Sequence, residues 1–219
     1  MLPHTSGVPL SSRTSFRIGG EAKEFYAPSS LEDLRTVLGC LHSRGVKPFI
    51  LGGGANTLFP DGELTRPVVS TENLRALEVD DRVIRAECGV RLNALIQSAI
   101  HGGLGGLEGF VGIPGTAGGA VAMNAGGSGW SFGERVTEIG LLPFDGGPLF
   151  RVKGRDVAWS YRTACLKDAV VAWVALGLVP DRAKLLKERA RDLMRKKASS
   201  QPLGTPSAGC IFRNPARGS

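Results

Sequence analysis

Clustered glycines constrain this chain more than any other feature of its sequence. The longer cluster, residues 112–127, reads GIPGTAGGAVAMNAGG and holds six glycines in sixteen residues. Each glycine costs conformational entropy when the chain folds, so a purely structural loop rarely contains so many. A backbone without side chains lies close to whatever it faces, and its N–H groups bind anions. We therefore predict that this segment is a ligand-binding loop.

A shorter cluster, LGGGANTLF at residues 51–59, follows a strand predicted over residues 47–51. It lacks the lysine of a GxxxxGK[ST] phosphate loop, and it does not match GxGxxG at the start of a long helix. Taken alone, it fits a glycine-rich turn as well as it fits a ligand site. Two such loops on separate strand–helix units suit one long ligand that carries a pyrophosphate, and a dinucleotide meets that description.

Hydrophobic periodicity predicts alternating strands and helices. A helix is predicted from Ser30, its capping residue, to Gly45, with Leu31, Leu34, Leu38 and Leu41 on one face. A second helix is predicted to close at the glycine pair 102–103, and a long third helix is predicted to follow Asp181 as its cap. Strands are predicted at residues 14–28 (two short strands around the glycine pair 19–20), 47–51, 67–70, 74–79, 83–87, 137–142, 149–152 and 169–179.

The composition fits a folded protein that works among reduced thiols. The 219 residues are 42% hydrophobic and 21% charged, which permits a sizeable core and argues against wholesale disorder. Four widely separated cysteines without a CxxC pair argue against a zinc site, so we predict no metal. The N-terminal residues lack the pattern of a signal peptide, and the longest apolar run, residues 169–179, is too short to span a bilayer. A cytoplasmic location without membrane attachment is therefore predicted.

The net charge of +7 is largely concentrated in residues 182–197. A basic amphipathic helix is most simply a solvated surface, although it also fits a face for nucleic acid or for a membrane. The segment has no interleaved aromatic residues, which argues against nucleic acid, and we predict no such partner. A non-catalytic nucleotide- or RNA-binding module stays open as an alternative.

Two further segments carry reactive side chains. In SYRTACLK, residues 160–167, an arginine beside a tyrosine can fork onto a carboxylate or phosphate, although a half-buried surface ion pair explains such a pair more simply. In PSAGCIFRNP, residues 206–215, Cys210 has the chemistry of a nucleophile or proton donor. An isolated cysteine is more often a small buried hydrophobic residue, so this segment alone does not decide its role.

Taken in order, these segments resemble the UDP-N-acetylenolpyruvoylglucosamine reductases, the MurB family. The family's Thr-x-Phe-Arg-Ile-Gly-Gly segment matches residues 14–20, and its GGG[SA]N motif matches residues 52–56. The motif GIPGTxGGAxxMNAG matches residues 112–126, a Tyr-Arg pair follows, and SAG[SC]xFxNP matches residues 207–215. The resemblance covers nearly the whole chain. It implies an α+β fold of the vanillyl-alcohol-oxidase type, with two FAD-binding subdomains and a third, substrate-binding domain.

The resemblance also implies an activity and a set of site residues. The chain would be an FAD-dependent oxidoreductase of peptidoglycan precursor synthesis that takes hydride from NADPH and reduces a small sugar-nucleotide substrate, UDP-N-acetylglucosamine enolpyruvate. Arg162 would polarise the substrate carboxylate, and Cys210 would donate a proton. Tyr161 and Asn214 would contact the substrate. The residues expected at the FAD are Gly52, Gly53, Gly54, Ala55, Asn56, Thr57, Gly112, Ile113, Pro114, Gly115, Thr116, Gly118, Gly119, Ala120 and Asn124.

Some positions depart from the family pattern. Ala55 and Ala164 stand where serine is frequent, and the family's catalytic glutamate near the C-terminus has no counterpart here. We therefore expect that the substrate domain is incomplete and that the fragment turns over poorly. Another FAD oxidase of the same superfamily, acting on an alcohol or a sugar, is the alternative activity. The implied organisation is FAD-binding subdomains at 1–67 and 68–180, a linker helix at 181–203 and the start of the substrate domain at 204–219.

Overall fold

The computed structural model describes residues 4–127, 129–166, 168–201, 204–207 and 212. Within these residues the α-helices are α1 (Leu31–Ser43), α2 (Leu92–His101), α3 (Ala117–Ala122) and α4 (Ala183–Ser200). The strands are β1 (Val8–Pro9), β2 (Glu21–Ala22), β3 (Phe25–Tyr26), β4 (Phe49–Leu51), β5 (Glu63–Leu64), β6 (Val68–Ser70), β7 (Leu77–Asp80), β8 (Val83–Glu87), β9 (Leu104–Gly105), β10 (Gly126–Gly127), β11 (Trp130–Ser131), β12 (Val136–Pro143), β13 (Phe150–Lys153), β14 (Trp159–Ser160), β15 (Thr163–Ala164), β16 (Ala169–Gly177) and β17 (Val179–Pro180).

A small α/β unit carries the shorter glycine cluster between two of its strands. Strands β3, β6 and β4 form a parallel sheet in that order, and α1 connects β3 to β4. The helix begins as predicted, because Ser30 Oγ accepts a hydrogen bond from Asp33 N at 3.0 Å. Leu34 and Leu38 on its inner face are fully buried. Strand β4 ends at Leu51, so the chain leaves the sheet directly into the glycines.

The segment before β2 differs from the prediction. Residues 14–28 are predicted to hold two strands around the glycine pair 19–20, but β2 and β3 both follow that pair. Residues 14–18 instead form a loop in which Arg17 N donates to Thr14 Oγ1 at 3.2 Å. A Cβ at Gly20 would lie 1.7 Å from Gly62 O. The glycine pair therefore permits a close backbone contact, and it is not a hairpin turn.

A five-stranded antiparallel sheet forms the larger unit, in the order β13–β12–β16–β8–β7. Its central strand, β16, is buried along almost its whole length. Trp173 on β16 pairs in register with Gly140 on β12, where a Cβ would lie 2.2 Å from the indole nitrogen. Helix α3 packs against β16 and β8. The sheet therefore supports the segment that carries the longer glycine cluster.

Helix α4 buries Leu186 and Ala190, in agreement with the predicted apolar stripe. Its predicted cap is wrong by one residue, since Arg182 occupies the N-cap position. The Asp181 carboxylate instead accepts a hydrogen bond from Arg182 N at 2.6 Å and pairs with Arg189. No helix in the described part of the chain is both long and apolar enough to cross a membrane.

The buried hydrophobic residues form two clusters. The larger cluster joins α1 to the five-stranded sheet, and the smaller one lies under β1, β2 and β5. Because β6 pairs with β3 and β4, a domain boundary at residue 67 would divide a sheet. A boundary after β6 keeps that sheet whole, and the division into subdomains itself stays a prediction.

We expect Gly118→Ala to lower the free energy of unfolding by about 1–3 kcal/mol, through overpacking. A Cβ at Gly118 would lie 2.7 Å from Cys88 Cβ and 3.1 Å from Cys88 O. The control is Gly119→Ala, on the exposed side of α3, where the nearest atom to a Cβ is Thr116 Oγ1 at 3.5 Å. That change should be neutral or stabilise the protein by up to about 1 kcal/mol. Urea unfolding measures both variants, and equal stabilities would contradict the packing argument.

Candidate functional site

The first glycine loop (residues 52–57) and the second glycine loop (residues 112–116) meet in the structure. A Cβ at Gly53 would lie 2.8 Å from Gly115 Cα, and a Cβ at Gly52 would lie 2.7 Å from Thr116 Oγ1. Gly115 has a φ of +120°, which residues with a side chain rarely adopt. The structure therefore brings together two segments that lie some sixty residues apart in the sequence.

Neighbouring segments hold the first glycine loop in place. Gly54 O accepts a hydrogen bond from Ser15 N at 3.0 Å, which ties the loop to the segment before β2. On the other side, Asn56 Nδ2 lies 3.5 Å from Met123 Sδ, at the end of α3. Ala55 faces the second glycine loop, since its Cβ lies 3.8 Å from the position that a Cβ at Gly115 would occupy. Thr57 ends the loop.

Several amides of the two loops are available to a ligand. Within the described residues, the backbone N–H groups of residues 53–56, Gly115 and Thr116 donate no hydrogen bond. Successive free N–H groups on a turning backbone form a concavity that binds anions. The two loops therefore offer free donors for an anion such as a diphosphate.

Other residues expected at the FAD use their amides for hydrogen bonds within the fold. Ile113 N donates to Phe110 O, and Gly118 N donates to Cys88 O. Ala120 N and Gly119 N donate to Thr116, the first to its carbonyl and the second to its hydroxyl. Pro114 has no N–H group. Any contact of these residues with FAD must use other atoms, and such contacts stay predictions.

A cavity of about 610 Å³ opens beside the first glycine loop. Gly52 and Gly53 line it, together with the charged residues Arg13, Arg17, Glu72 and Arg91 and with residues 204–206. Its volume lies within the range of cofactor and small-molecule sites. Free amides, glycines in close contact and a wall of arginines fit the diphosphate of FAD, because both kinds of donor favour negative oxygens.

Sequence reasoning missed the three arginines of this cavity. Arg17 lies in the segment that carries the resemblance, and its φ of +60° is unusual for a residue with a side chain. Arg91 occupies the N-cap position of α2 and makes no side-chain capping hydrogen bond. Arginine is not among the residues preferred there, so its position was a usable signal. Arg13 offered no such signal.

The hairpin of β14 and β15 carries Arg162 at its turn. Arg162 has a φ of +58°, and its Nη1 donates to Gly126 O at 2.5 Å. The guanidinium lies 5.3 Å from the ring centre of Tyr161, whose side chain is half exposed. In the described part of the chain Arg162 forms no ion pair, so the simpler explanation of a surface ion pair is wrong for those residues. Its charge is therefore free for a ligand.

Asn124 connects this hairpin to the end of the longer glycine cluster. Its Nδ2 donates to Ser160 O at 3.0 Å, and its Oδ1 accepts from Ser131 Oγ at 2.9 Å and from Gly133 N at 3.0 Å. The prediction assigned Asn124 to the FAD. In the structure both ends of its amide group form hydrogen bonds within the chain, and the assignment of Asn124 to the FAD stays a prediction.

Helix α4 covers the outer side of the second glycine loop. A Cβ at Gly112 would lie 2.9 Å from Met194 Sδ, and Lys197 Nζ donates to Val111 O at 3.4 Å. Burial holds the pKa of Lys197 below its ordinary value. Under the same segment, burial raises the pKa of the Cys88 thiol to about 12, so Cys88 stays protonated and serves in packing.

Two predicted site residues, Cys210 and Asn214, lie outside the described residues. Among the residues that are described, no group of histidine, cysteine, aspartate or glutamate is arranged to hold a metal ion.

Comparison with known proteins identifies the family. A family model described as an FAD binding domain matches residues 22–146. The UDP-N-acetylenolpyruvoylglucosamine reductase of Moorella thermoacetica is 39% identical over 94% of this chain and 68% of its own length. That of Alkalilimnicola ehrlichii is 39% identical over 94% of this chain and 70% of its own length.

Solved structures agree on the fold. The crystal structure of UDP-N-acetylenolpyruvylglucosamine reductase from Thermus caldophilus matches with a TM-score of 0.84 at 26% identity, covering 98% of this chain and 76% of that one. Phl p 4.0202, a glucose dehydrogenase, matches with a TM-score of 0.63 over 79% of this chain, and at 19% identity it shares the fold alone. The predicted α+β FAD-binding fold is thus confirmed. The chain is an FAD-dependent oxidoreductase and belongs to the UDP-N-acetylenolpyruvoylglucosamine reductase family.

Proposed function

We propose that this chain reduces UDP-N-acetylglucosamine enolpyruvate to UDP-N-acetylmuramate, with NADPH as the source of hydride. The observation that carries the proposal is the contact between the two glycine loops, which leaves free amides beside a cavity lined by arginines. The names of its relatives support the same reaction. We infer a cytoplasmic setting, where a basic protein meets two polyanionic small molecules, the sugar nucleotide and NADPH.

We assign the diphosphate of FAD to the cavity beside the first glycine loop, near the point where the two glycine loops meet. The free amides of residues 53–56 and of Gly115 and Thr116 would bind its diphosphate. When bound, FAD supplies the chemistry that protein side chains lack, namely accepting a hydride from NADPH and giving it to the enolpyruvyl double bond. The chain itself binds and orients both partners and handles the proton.

We assign the substrate side of the reaction to the Arg162 hairpin and the C-terminal motif. Arg162 would bind the carboxylate next to the double bond and stabilise the negative charge that develops when hydride adds to the far carbon. The Cys210 thiol would then give its proton to the carbon next to the carboxylate, which completes the reduction and leaves a thiolate. An ordinary thiol pKa near 8.5 makes cysteine a better acid than serine. Tyr161 and Asn214 would contact the sugar nucleotide.

We retain two FAD-binding subdomains, divided after β6, with α4 as the linker helix. Residues 204–206 line the same cavity as the first glycine loop. This contact supports the assignment of residues 204–219 to the substrate side.

The first test is a titration of the chain with FAD, followed by flavin fluorescence. We expect saturable binding, and we expect Gly53→Ala to weaken it at least about tenfold, because the added Cβ forces the two loops apart. Gly102→Ala, at the far end of α2, is the matched control and should bind as the parent does. A folded parent chain that does not bind FAD would contradict the proposal.

A second prediction concerns Asn124 as a positioning residue for Arg162. Asn124→Asp keeps the acceptor for Ser131 and Gly133 but loses the donor to Ser160 O. Hydrogen exchange in residues 159–164 should rise by about tenfold, as expected for the loss of one hydrogen bond. Ser131→Ala leaves the bond to Ser160 in place and should not change that exchange. If the two variants behave alike, Asn124 does not anchor the hairpin.

A third prediction separates the two half-reactions. With Cys210→Ala in a full-length version of the protein, reduction of bound FAD by NADPH should keep its rate, and reoxidation by the enolpyruvyl substrate should slow by about 10²-fold or more. Stopped-flow absorbance measures each step in the parent and the variant. Cys40→Ala, a change at an exposed thiol on α1, is the control. If the enolpyruvyl substrate reoxidises the flavin of Cys210→Ala as fast as that of the parent, Cys210 is not the proton donor.

A further inference from the structure

The cavity beside the first glycine loop holds more positive charge than its own carboxylate neutralises. Arg13, Arg17 and Arg91 line it, and Glu72 is the acidic residue among the described lining residues. We propose that Arg17 and Arg91 form a pair that binds the diphosphate of FAD, opposite the free amides of the first glycine loop. The proposal rests on the proposed function, because it requires FAD in this cavity.

Arg13 is already neutralised. Its Nη1 forms an ion pair with Glu72 Oε1 at 2.5 Å, and its guanidinium lies 5.1 Å from the ring centre of Phe25. Both side chains of the ion pair are about one-third exposed or less. A paired and stacked guanidinium has a fixed position and little net charge to offer. Arg13 therefore shapes the wall of the cavity, and the uncompensated charge belongs to the other two arginines.

Arg17 reaches the cavity from a loop with an unfavourable backbone conformation. Its φ is +60°, and its amide is held by Thr14, through the carbonyl at 3.3 Å and the hydroxyl at 3.2 Å. Such a conformation persists where the surrounding structure enforces it, and it is frequent at ligand sites. The guanidinium makes no ion pair or hydrogen bond within the described residues. Its positive charge is thus held at the cavity without a protein partner.

Arg91 approaches the same place from the second unit. Its Nη1 lies 3.2 Å from the position of a Cβ at Gly53, so the guanidinium lies beside the start of the first glycine loop. Like Arg17, it forms no ion pair in the part of the chain that the structure describes. A guanidinium presents several N–H donors in one plane and suits two neighbouring phosphate oxygens. Two unpaired guanidinium groups match the two negative charges of a diphosphate.

A diphosphate also occurs in the sugar-nucleotide substrate and in NADPH. We assign the pair to FAD because the Arg91 guanidinium lies beside Gly53 of the first glycine loop, and the FAD binding domain match spans both residues. Arg17 precedes that match and is included because it lines the same cavity as Arg91 and Gly53. If the two arginines instead bound the diphosphate of the substrate or of NADPH, replacing them would weaken the binding of that molecule and leave the binding of FAD unchanged.

The test compares flavins with and without a diphosphate. Arg17→Ala and Arg91→Ala should each raise the Kd of FAD by about tenfold or more, while the Kd of riboflavin, which has no phosphate, stays as in the parent chain. Binding of FAD by the double variant should also depend less steeply on salt concentration. Arg91→Lys should recover part of the affinity, because the charge returns without the planar donors.

Arg155→Ala is the matched control, because it removes one positive charge from a residue that does not line the cavity. Circular dichroism and thermal unfolding establish that each variant is folded. If the parent binds FAD and both variants bind it equally well, the arginine assignment is overturned and the proposed function stands. Equal weakening of riboflavin, or loss of UDP-N-acetylglucosamine affinity with FAD affinity unchanged, also overturns it. If the parent chain itself binds no FAD, the proposed function is wrong, whatever the arginines do.

Discussion

The close approach of Gly53 to Gly115 holds the candidate site together, because it joins two units with separate sheets. The first glycine loop follows strand β4 of the parallel sheet β3–β6–β4, and the second lies beside the five-stranded antiparallel sheet. A distance of 2.8 Å between a Cβ at one glycine and the Cα of the other leaves no room for any side chain. Placing two backbones this close brings free N–H groups of both units near one another, as the proposed binding of a diphosphate requires.

The rest of the local structure maintains that contact. Helix α3 is anchored through Gly118, whose amide donates to the carbonyl oxygen of Cys88, directly after β8. Thr116 caps the same helix. From outside, α4 covers Gly112 with Met194. The sequence motif by itself places these residues at the cofactor, but each of these contacts uses their amides, or the volume beside them, within the fold. Much of the long glycine cluster therefore serves packing within the fold.

Elements whose causes are local could be predicted. Helix α1 was predicted correctly from its Ser30 cap and its leucine periodicity, since both act within a few residues. The strands of residues 14–28 were misplaced, because Gly20 meets Gly62 across forty residues of sequence and no local pattern records that contact. The cap of α4 was misplaced by one residue, because Asp181 is drawn to Arg189, two turns along the helix.

The sequence by itself determined the α+β class, the FAD-binding family and the two glycine loops. These follow from motifs that are defined by residue types and their order along the chain. Only the tertiary structure decided which amides stay free, why Asn124 is committed to Ser160 and which arginines stand without a carboxylate. The physical reason is that hydrogen bonds and ion pairs are satisfied by whichever group is nearest in space. That neighbour often lies far away in the chain, as Glu72 does from Arg13.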